Sequence, residues 1–448
     1  MKRRNLFTTL AVMAVLTLVA AACSNNNSSG GGTPSASGSA GVNCSTAAFG
    51  CVTYASGAPI RVGTLLAISG DVATLGLDSQ HGVSLAVDYL DGKFDATPGQ
   101  IDGHDVQLQN EDDLCAKQGG QQGGTKLAND PTIAFVVGTS CSSSAEGVAD
   151  KILSDKGIIL ISPSNTAAGL TAPDTHQPFY LRTAQNDAIQ AKVVADFVYS
   201  KLGFKKAATI HDESPYAAGL TGGFKTSFEA LGGQVTDEEA ITSTDTDFKP
   251  LLTSIAQTKP QIIYLPDFNP ACALIAKQAQ DVPQLAGVKL MGSDGCLAST
   301  FYDQAGSAAN GFYLSGPIPS PSAATSPLLD QFNAAYKAQY GKQTASFNAN
   351  AFDAFNIVAN AIKKVGIVGS DGSLTIPRQA LANAVYQTAN YQGITGVLTC
   401  IATGDCQSQA AVNIGVYQAP DSPYGSAANP KTIFSEQLTL AQALGSTG

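Results

Sequence analysis

Charge is scarce in this chain. Only 13% of its 448 residues are Asp, Glu, Lys or Arg, about half the quarter usual for soluble proteins. After Lys2, Arg3 and Arg4 no basic cluster occurs, and the formal net charge is −10. The footprint that nucleic acid or an anionic lipid surface requires is absent, so nucleic-acid binding is excluded. There is no CxxC pair and only four scattered histidines, which leaves a zinc site without a ligand framework; no metal and no cofactor are expected. The chain also lacks a G-x-S-x-G elbow and any well-placed Ser/His/Asp set, so it is not expected to be an enzyme such as a serine hydrolase. His211-Asp212-Glu213 closes a strand, and Asp71, Asp112 and Asp113 read as turn and cap groups. What the chain does have is 44% hydrophobic residues, enough for real cores in two or three domains.

Lys2, Arg3 and Arg4 precede an apolar run from Leu6 to Ala22, the layout of a secretory signal and short for a membrane span. Ala21-Ala22-Cys23 follows, then a Ser/Gly tract to Ala40. Small residues before one Cys, with a polar tether after it, resemble a bacterial lipoprotein lipobox, although Ala20 stands where Leu is usual. That resemblance implies cleavage after residue 22, a lipid anchor on Cys23 and a flexible tether over 23–58. Losing the three basic residues takes the charge from −10 to −13. The expected location is the cell membrane, lipid-anchored on its extracytoplasmic face.

Reserving Cys23 for lipid leaves eight cysteines, an even number that reads as disulfides in an exported chain, with 105 possible connectivities. Pairing neighbours in order gives Cys44–Cys51, Cys115–Cys141, Cys272–Cys296 and Cys400–Cys406. The last closes over Thr403-Gly404-Asp405, a hairpin-type turn.

From Ile60 onward short β-branched runs alternate with helical stretches. Strands are expected at 60–68, 106–108, 133–137 and 158–161, with helices at 81–90, 118–128 and 145–155. The pattern restarts with helices at 188–201, 216–231, 251–258 and 272–280 and strands at 207–210, 234–240, 262–265 and 288–291. Continuous apolar strands separated by helices mean parallel sheets covered on both faces. The fold class is therefore α/β, with two doubly wound, Rossmann-like units. Later, 327–340 and 351–365 read as helices with no strand between them, and 393–401 with 411–418 as an antiparallel pair. Ligands of open parallel sheets bind beyond the carboxyl ends of the strands. The turns to inspect are therefore 69–70, 138–144, 162–166, 211–216, 267–270 and 292–295.

Several of these turns carry a likeness. Cys141-Ser142-Ser143-Ser144, Ile161-Ser162-Pro163-Ser164-Asn165-Thr166, Asp112-Asp113-Leu114-Cys115, His211-Asp212-Glu213-Ser214-Pro215-Tyr216 and Gly393-Ile394-Thr395-Gly396 resemble the branched-chain amino-acid-binding proteins of ABC importers, in order from about Ile60 to Gln418. The resemblance implies a Venus flytrap, the type I periplasmic binding protein fold, whose two lobes are joined by three crossings. These are expected near Arg182-Thr183, Ser315–Pro317 and Gly393–Gly396. Lobe one would comprise 59–183 plus 316–394, and lobe two 184–315 plus 395–448. Cys115/Cys141 matches that family's lobe-one disulfide.

Carried over one position at a time, Ser142 matches the hydroxyl and N–H that hold a ligand carboxylate. Thr166 matches a threonine contacting both carboxylate and ammonium, and Ser164 the residue whose carbonyl accepts from the ammonium. Tyr216 matches a tyrosine reaching over the ligand, and Asp294 the acid pairing with the ammonium. The departures are Asp294 for Glu, Phe268 for Tyr, Leu75 for an aromatic cap, and Ser164-Asn165 for two small residues. They imply an amino-acid head group but a ligand slightly larger or more polar than Leu, Ile or Val. The expected function is solute capture for an ABC permease in the membrane, by a monomer. The alternative is a ligand-sensing receptor for amides, urea or small carboxylates.

Overall fold

The computed structural model describes residues 43–320, 323–407, 412–425 and 430–445. The signal segment, Cys23 and the tether as far as residue 42 lie outside the described residues.

Two parallel sheets form the cores of two lobes. In lobe one the strand order is Gln100–Ile101, His104–Asp112, Ile60–Leu66, Ile133–Gly138, Ile159–Ser162 and Tyr180–Arg182. All pairings except that of the first two are parallel. Ile133–Gly138 is buried at every position, as its unbroken apolar sequence requires of a strand covered on both faces. In lobe two the order is Gln234–Ala240, Lys206–His211, Ile262–Tyr264, Lys289–Gly292 and Tyr313–Pro317. Two antiparallel strands, Val412–Gln418 and Thr432–Leu438, extend that sheet.

Both lobes thus place their first parallel strand inside the second and beside the third. That arrangement leaves one crevice per sheet where the strand order reverses, at the carboxyl ends. In lobe one it lies beyond Leu66 and Gly138; in lobe two, beyond His211 and Tyr264. The helices follow from local packing. Ala73–Asp88 lies against Asn348–Val365 so closely that a Cβ on Gly82 would sit 2.1 Å from the Asn348 carbonyl oxygen.

Several expectations need correction. The helix of lobe one begins at Ala73, not 81, because its polar first turns are buried and partnered: the Tyr336 hydroxyl donates to Asp78 Oδ1 at 2.7 Å and Asn348 Nδ2 to Oδ2 at 2.9 Å. The helix expected over 145–155 is broken at Glu146 and Gly147, which leave helical geometry. The expected tether ends early, since Cys51–Tyr54 is a strand paired with Leu374–Pro377, and the Cys44–Cys51 bridge anchors what precedes it.

The 393–401/411–418 pair does not form. Val397–Leu398 closes a small hairpin with Tyr391–Gln392 instead. Residues 395–407 also stay with lobe one, not lobe two. Leu398, Cys400 and Cys406 are in its core, and the Cys400–Cys406 bridge holds the turn that presents Asp405 to Arg182. Arg182 Nε donates to Asp405 Oδ1 at 2.6 Å, with the guanidinium fully buried. Its remaining N–H groups reach the carbonyls of Asn165 and Ala167 and the Thr171 hydroxyl. Gly316 and Pro317, expected in lobe one, remain in the lobe-two sheet, paired with Gly415 and Ile414. Cys115 is bonded to Cys141 and Cys272 to Cys296.

Candidate functional site

Loops from the two crevices meet. They enclose a cavity of about 10 Å³ lined by Leu75, Ser142, Ser164 and Phe347 from lobe one and Tyr216, Phe268 and Asp294 from lobe two, among others. Six of the eight expected ligand positions are thereby brought together.

On the lobe-one side, the chain turns sharply after Gly138 and enters a one-turn helix at Ser142. The Ser142 hydroxyl accepts from the Ala167 N–H at 3.2 Å, and the Ser164 hydroxyl donates to the Ser140 carbonyl at 2.9 Å. These bonds fasten the two loops to each other and fix where the hydroxyls lie. Asn165 is not at the cavity. Its Nδ2 donates to the Thr139 carbonyl at 2.9 Å and its Oδ1 accepts from the Tyr180 hydroxyl at 3.2 Å, so it braces the loop from behind. Thr166 also does not line the cavity; its buried hydroxyl faces Asp187.

On the lobe-two side, Ser214 caps the helix Pro215–Ala230 by accepting from Ala217 N–H, which sets Tyr216 in the first turn with its ring inward. The Tyr216 hydroxyl accepts from Gly295 N–H at 2.9 Å, and its ring centroid lies 5.0 Å from that of Phe268. Gly295 is required here: a Cβ would fall 2.6 Å from the Asp267 carbonyl oxygen and 3.0 Å from the Tyr216 hydroxyl. Asp294 Oδ1 accepts from Gln190 Nε2 at 2.7 Å. Gln190 is itself held by Gln185 and Ser315, Ser315 by Ser293, and Ser293 by Tyr264. Burial pushes the Asp294 carboxyl from 3.8 up to about 6, against the pull of the Gln190 amide and Tyr216.

Two acids that the sequence reading did not place at the site are buried beside it. Asp187, the first residue of the helix Asp187–Asp196, faces the Thr166 hydroxyl and the Arg182 charge, both of which favour its ionised form. Burial, with the Asp294 charge nearby, holds it well above the usual carboxylate range. Asp267, beyond the strand Ile262–Tyr264, is likewise buried, without a side-chain hydrogen-bond partner. The sequence signal was Asp267 lying in a turn at a strand's carboxyl end. Asp187 carried none beyond a first-turn position that looks like a cap. Among the described residues no group of His, Cys, Asp and Glu could hold a metal ion.

A donor-rich loop on one lobe facing a buried carboxylate on the other is a recognition geometry for a small solute. Comparison with known proteins points the same way. The family model described as periplasmic binding protein matches residues 59–422, and the chain belongs to that family. The Leu/Ile/Val-binding protein BraC3 of Rhizobium johnstonii is 30% identical over 353 residues, covering 79% of this chain and 90% of that protein. The Leu/Ile/Val-binding protein homolog 3 of Brucella melitensis biotype 1 is 28% identical, covering 81% and 92%. Among solved structures, the branched-chain amino acid transporter substrate binding protein LivJ from Streptococcus pneumoniae, in complex with isoleucine, superposes with a TM-score of 0.70 at 25% identity, covering 85% of this chain and 99% of that one. An ABC-transporter solute binding protein from R. palustris in complex with benzoate shares the fold at 22% identity, with a TM-score of 0.68 and coverage of 85% and 96%.

The Asp294 shift has a definite sign. Its folded-state value lies above the unfolded one, so its stabilising contribution is complete below about pH 4 and lost as pH rises through about 6. In urea unfolding without ligand, Asp294→Asn should therefore gain on the parent by on the order of 3 kcal/mol between pH 4 and pH 8. A difference independent of pH would contradict this reading.

Proposed function

We propose that this protein captures an α-amino acid between its lobes and delivers it to an ABC permease. A zwitterion leaving water needs donors at one end and a carboxylate at the other, or its burial costs several kcal/mol. The observation that carries the reading is that pairing across one cavity: Ser142 and Ser164 from lobe one, Asp294 from lobe two. In this reading Ser142 and the neighbouring backbone N–H groups hold the carboxylate. Asp294 and the Ser164 carbonyl take the ammonium, and Tyr216, Phe268 and Leu75 form the walls. Asn165 acts through the loop it braces.

A ligand that touches both lobes favours the closed form by the contacts it makes only there. The same closed surface would dock on the permease. The lobes, as corrected above, stand on a tether anchored through lipid on Cys23 at the extracytoplasmic face. The names of the relatives, all Leu/Ile/Val-binding proteins, support an amino acid as the solute and transport as the purpose. The role is binding, by a monomer and without catalysis.

Thermal unfolding against the twenty amino acids, urea, simple amides and carboxylates tests the head group. At a hundredfold over its dissociation constant the right ligand stabilises by about 2.7 kcal/mol. Asp294→Ala should abolish that shift. A shift only with ligands that lack an amino group would remove Asp294 from the ammonium role. For the anchor, Cys23→Ser should move the protein from the membrane fraction to the soluble one; retention in the membrane would refute lipidation there.

A further inference from the structure

A second, larger cavity of about 530 Å³ shares Phe268 with the head-group pocket. The Cys115–Cys141 bridge stands between them, Cys141 lining the small cavity and Cys115 the large one. The small cavity has room for about one water molecule, whereas the large one is of the size that takes a small organic ligand. A ligand held by its head group has one roomy direction for its side chain, past Phe268.

Every charged residue lining the larger cavity is acidic: Asp71, Asp212, Glu213, Asp245 and Asp267. Among the described residues, no lysine, arginine or histidine lines either cavity. Carboxylates on exposed loops would signify only a solvated surface. Asp267 is different. It is 1% exposed and has no side-chain hydrogen-bond partner, the Asp212 backbone alone drawing on its carboxyl. The buried Asn269 Oδ1 on the same turn is also without one. A buried acceptor without a donor costs about 1–3 kcal/mol, and more when charged. Burial holds the Asp267 carboxyl well above its ordinary range, and Asp212 adds a like charge to the same effect. These groups call for a positively charged donor. The described residues contain no group of His, Cys, Asp and Glu fit for a metal ion, and an organic cation is the donor that the size of the cavity suits.

We infer that the larger cavity receives the cationic end of the ligand's side chain, so that the solute is an α-amino acid ending in an amine or a guanidinium. This rests on the head-group reading above and extends it. Asp267 accepts directly from the cation, and the Asn269 carbonyl stands beside it as a second acceptor. Asp71, Asp212, Glu213 and Asp245 line the mouth and bias the local field toward cations. An aliphatic side chain would leave Asp267 unsatisfied, and an anionic one would be repelled.

Titration calorimetry of the purified protein with L-lysine, L-norleucine, L-leucine, L-glutamate and 1,5-diaminopentane tests this. Norleucine is the informative comparison, being lysine without its amine. A charged hydrogen bond of this kind predicts lysine or arginine binding about tenfold to a hundredfold tighter than norleucine. Asp267→Asn should bring that ratio down by about tenfold or more. Leucine or norleucine binding as tightly as lysine would overturn the inference and leave the amino-acid head group standing. Binding of the diamine with no amino acid bound would keep the cation site and overturn the head group. Failure of every compound would overturn both. If Asp267→Asn does not fold, the parent's lysine-to-norleucine ratio still decides.

Discussion

Three buried carboxylates, on Asp187, Asp267 and Asp294, set the terms for everything at the lobe interface. The same chain shows what a buried aspartate looks like when its purpose is structural. Asp78 accepts from Tyr336 and Asn348, and Asp353 from the Ile394 and Thr395 N–H groups and the Thr395 hydroxyl. Asp113 accepts from Cys115 and Ser140 N–H, pinning the loop that carries the lobe-one disulfide. Those acids complete their bonds within the fold. At the interface, Asp294 accepts from Gln190, and burial outweighs the little that Thr166 offers Asp187 and the Asp212 backbone offers Asp267. Protein interiors rarely leave such groups unsatisfied, and where they do a ligand is a natural completion.

The scaffold explains why these groups converge. Each sheet reverses its strand order at one place, and the loops beyond that place are the ones that face the other lobe. Lobe one contributes hydroxyls on tight turns; lobe two contributes a helix start bearing Tyr216 and two turns bearing Phe268 and Asp294. Behind them, Arg182 ties the first crossing to the Cys400–Cys406 turn through Asp405 and fixes the Asn165–Ala167 loop by its carbonyls. Breaking that pair would strand a buried guanidinium, a loss of about 3–5 kcal/mol. The first crossing is thus held by a buried, charged knot.

Much of this was legible in the residues. The helix at 327–340 falls where apolar spacing puts it, with Leu329, Phe332 and Tyr336 buried at helical intervals, and Gln234–Ala240 is a strand as expected. The helix beginning at Ala73 was hidden, since Gly76, Asp78 and Ser79 look like a loop until the distant Tyr336 and Asn348 partner Asp78. The same holds for 393–407. Its β-branched residues suggested pairing with 411–418, and only the tertiary bond between Arg182 and Asp405 shows why it stays with lobe one. At the site, motif residues with local signatures, such as Ser142 and Tyr216, were visible. Asp187 and Asp267 were not, because what distinguishes them from ordinary caps and turns is burial, and burial is a property of the assembled lobes.

The most direct test of this account is the proton balance of binding. If carboxyls held above their usual range by burial accept a cationic group, that group draws them back toward ionisation, and protons leave the protein. Calorimetry of L-lysine binding near pH 6.5, in two buffers of different ionisation enthalpy, measures this. The account predicts net proton release that diminishes in Asp294→Asn. Binding with no proton exchange, or with uptake, would contradict it.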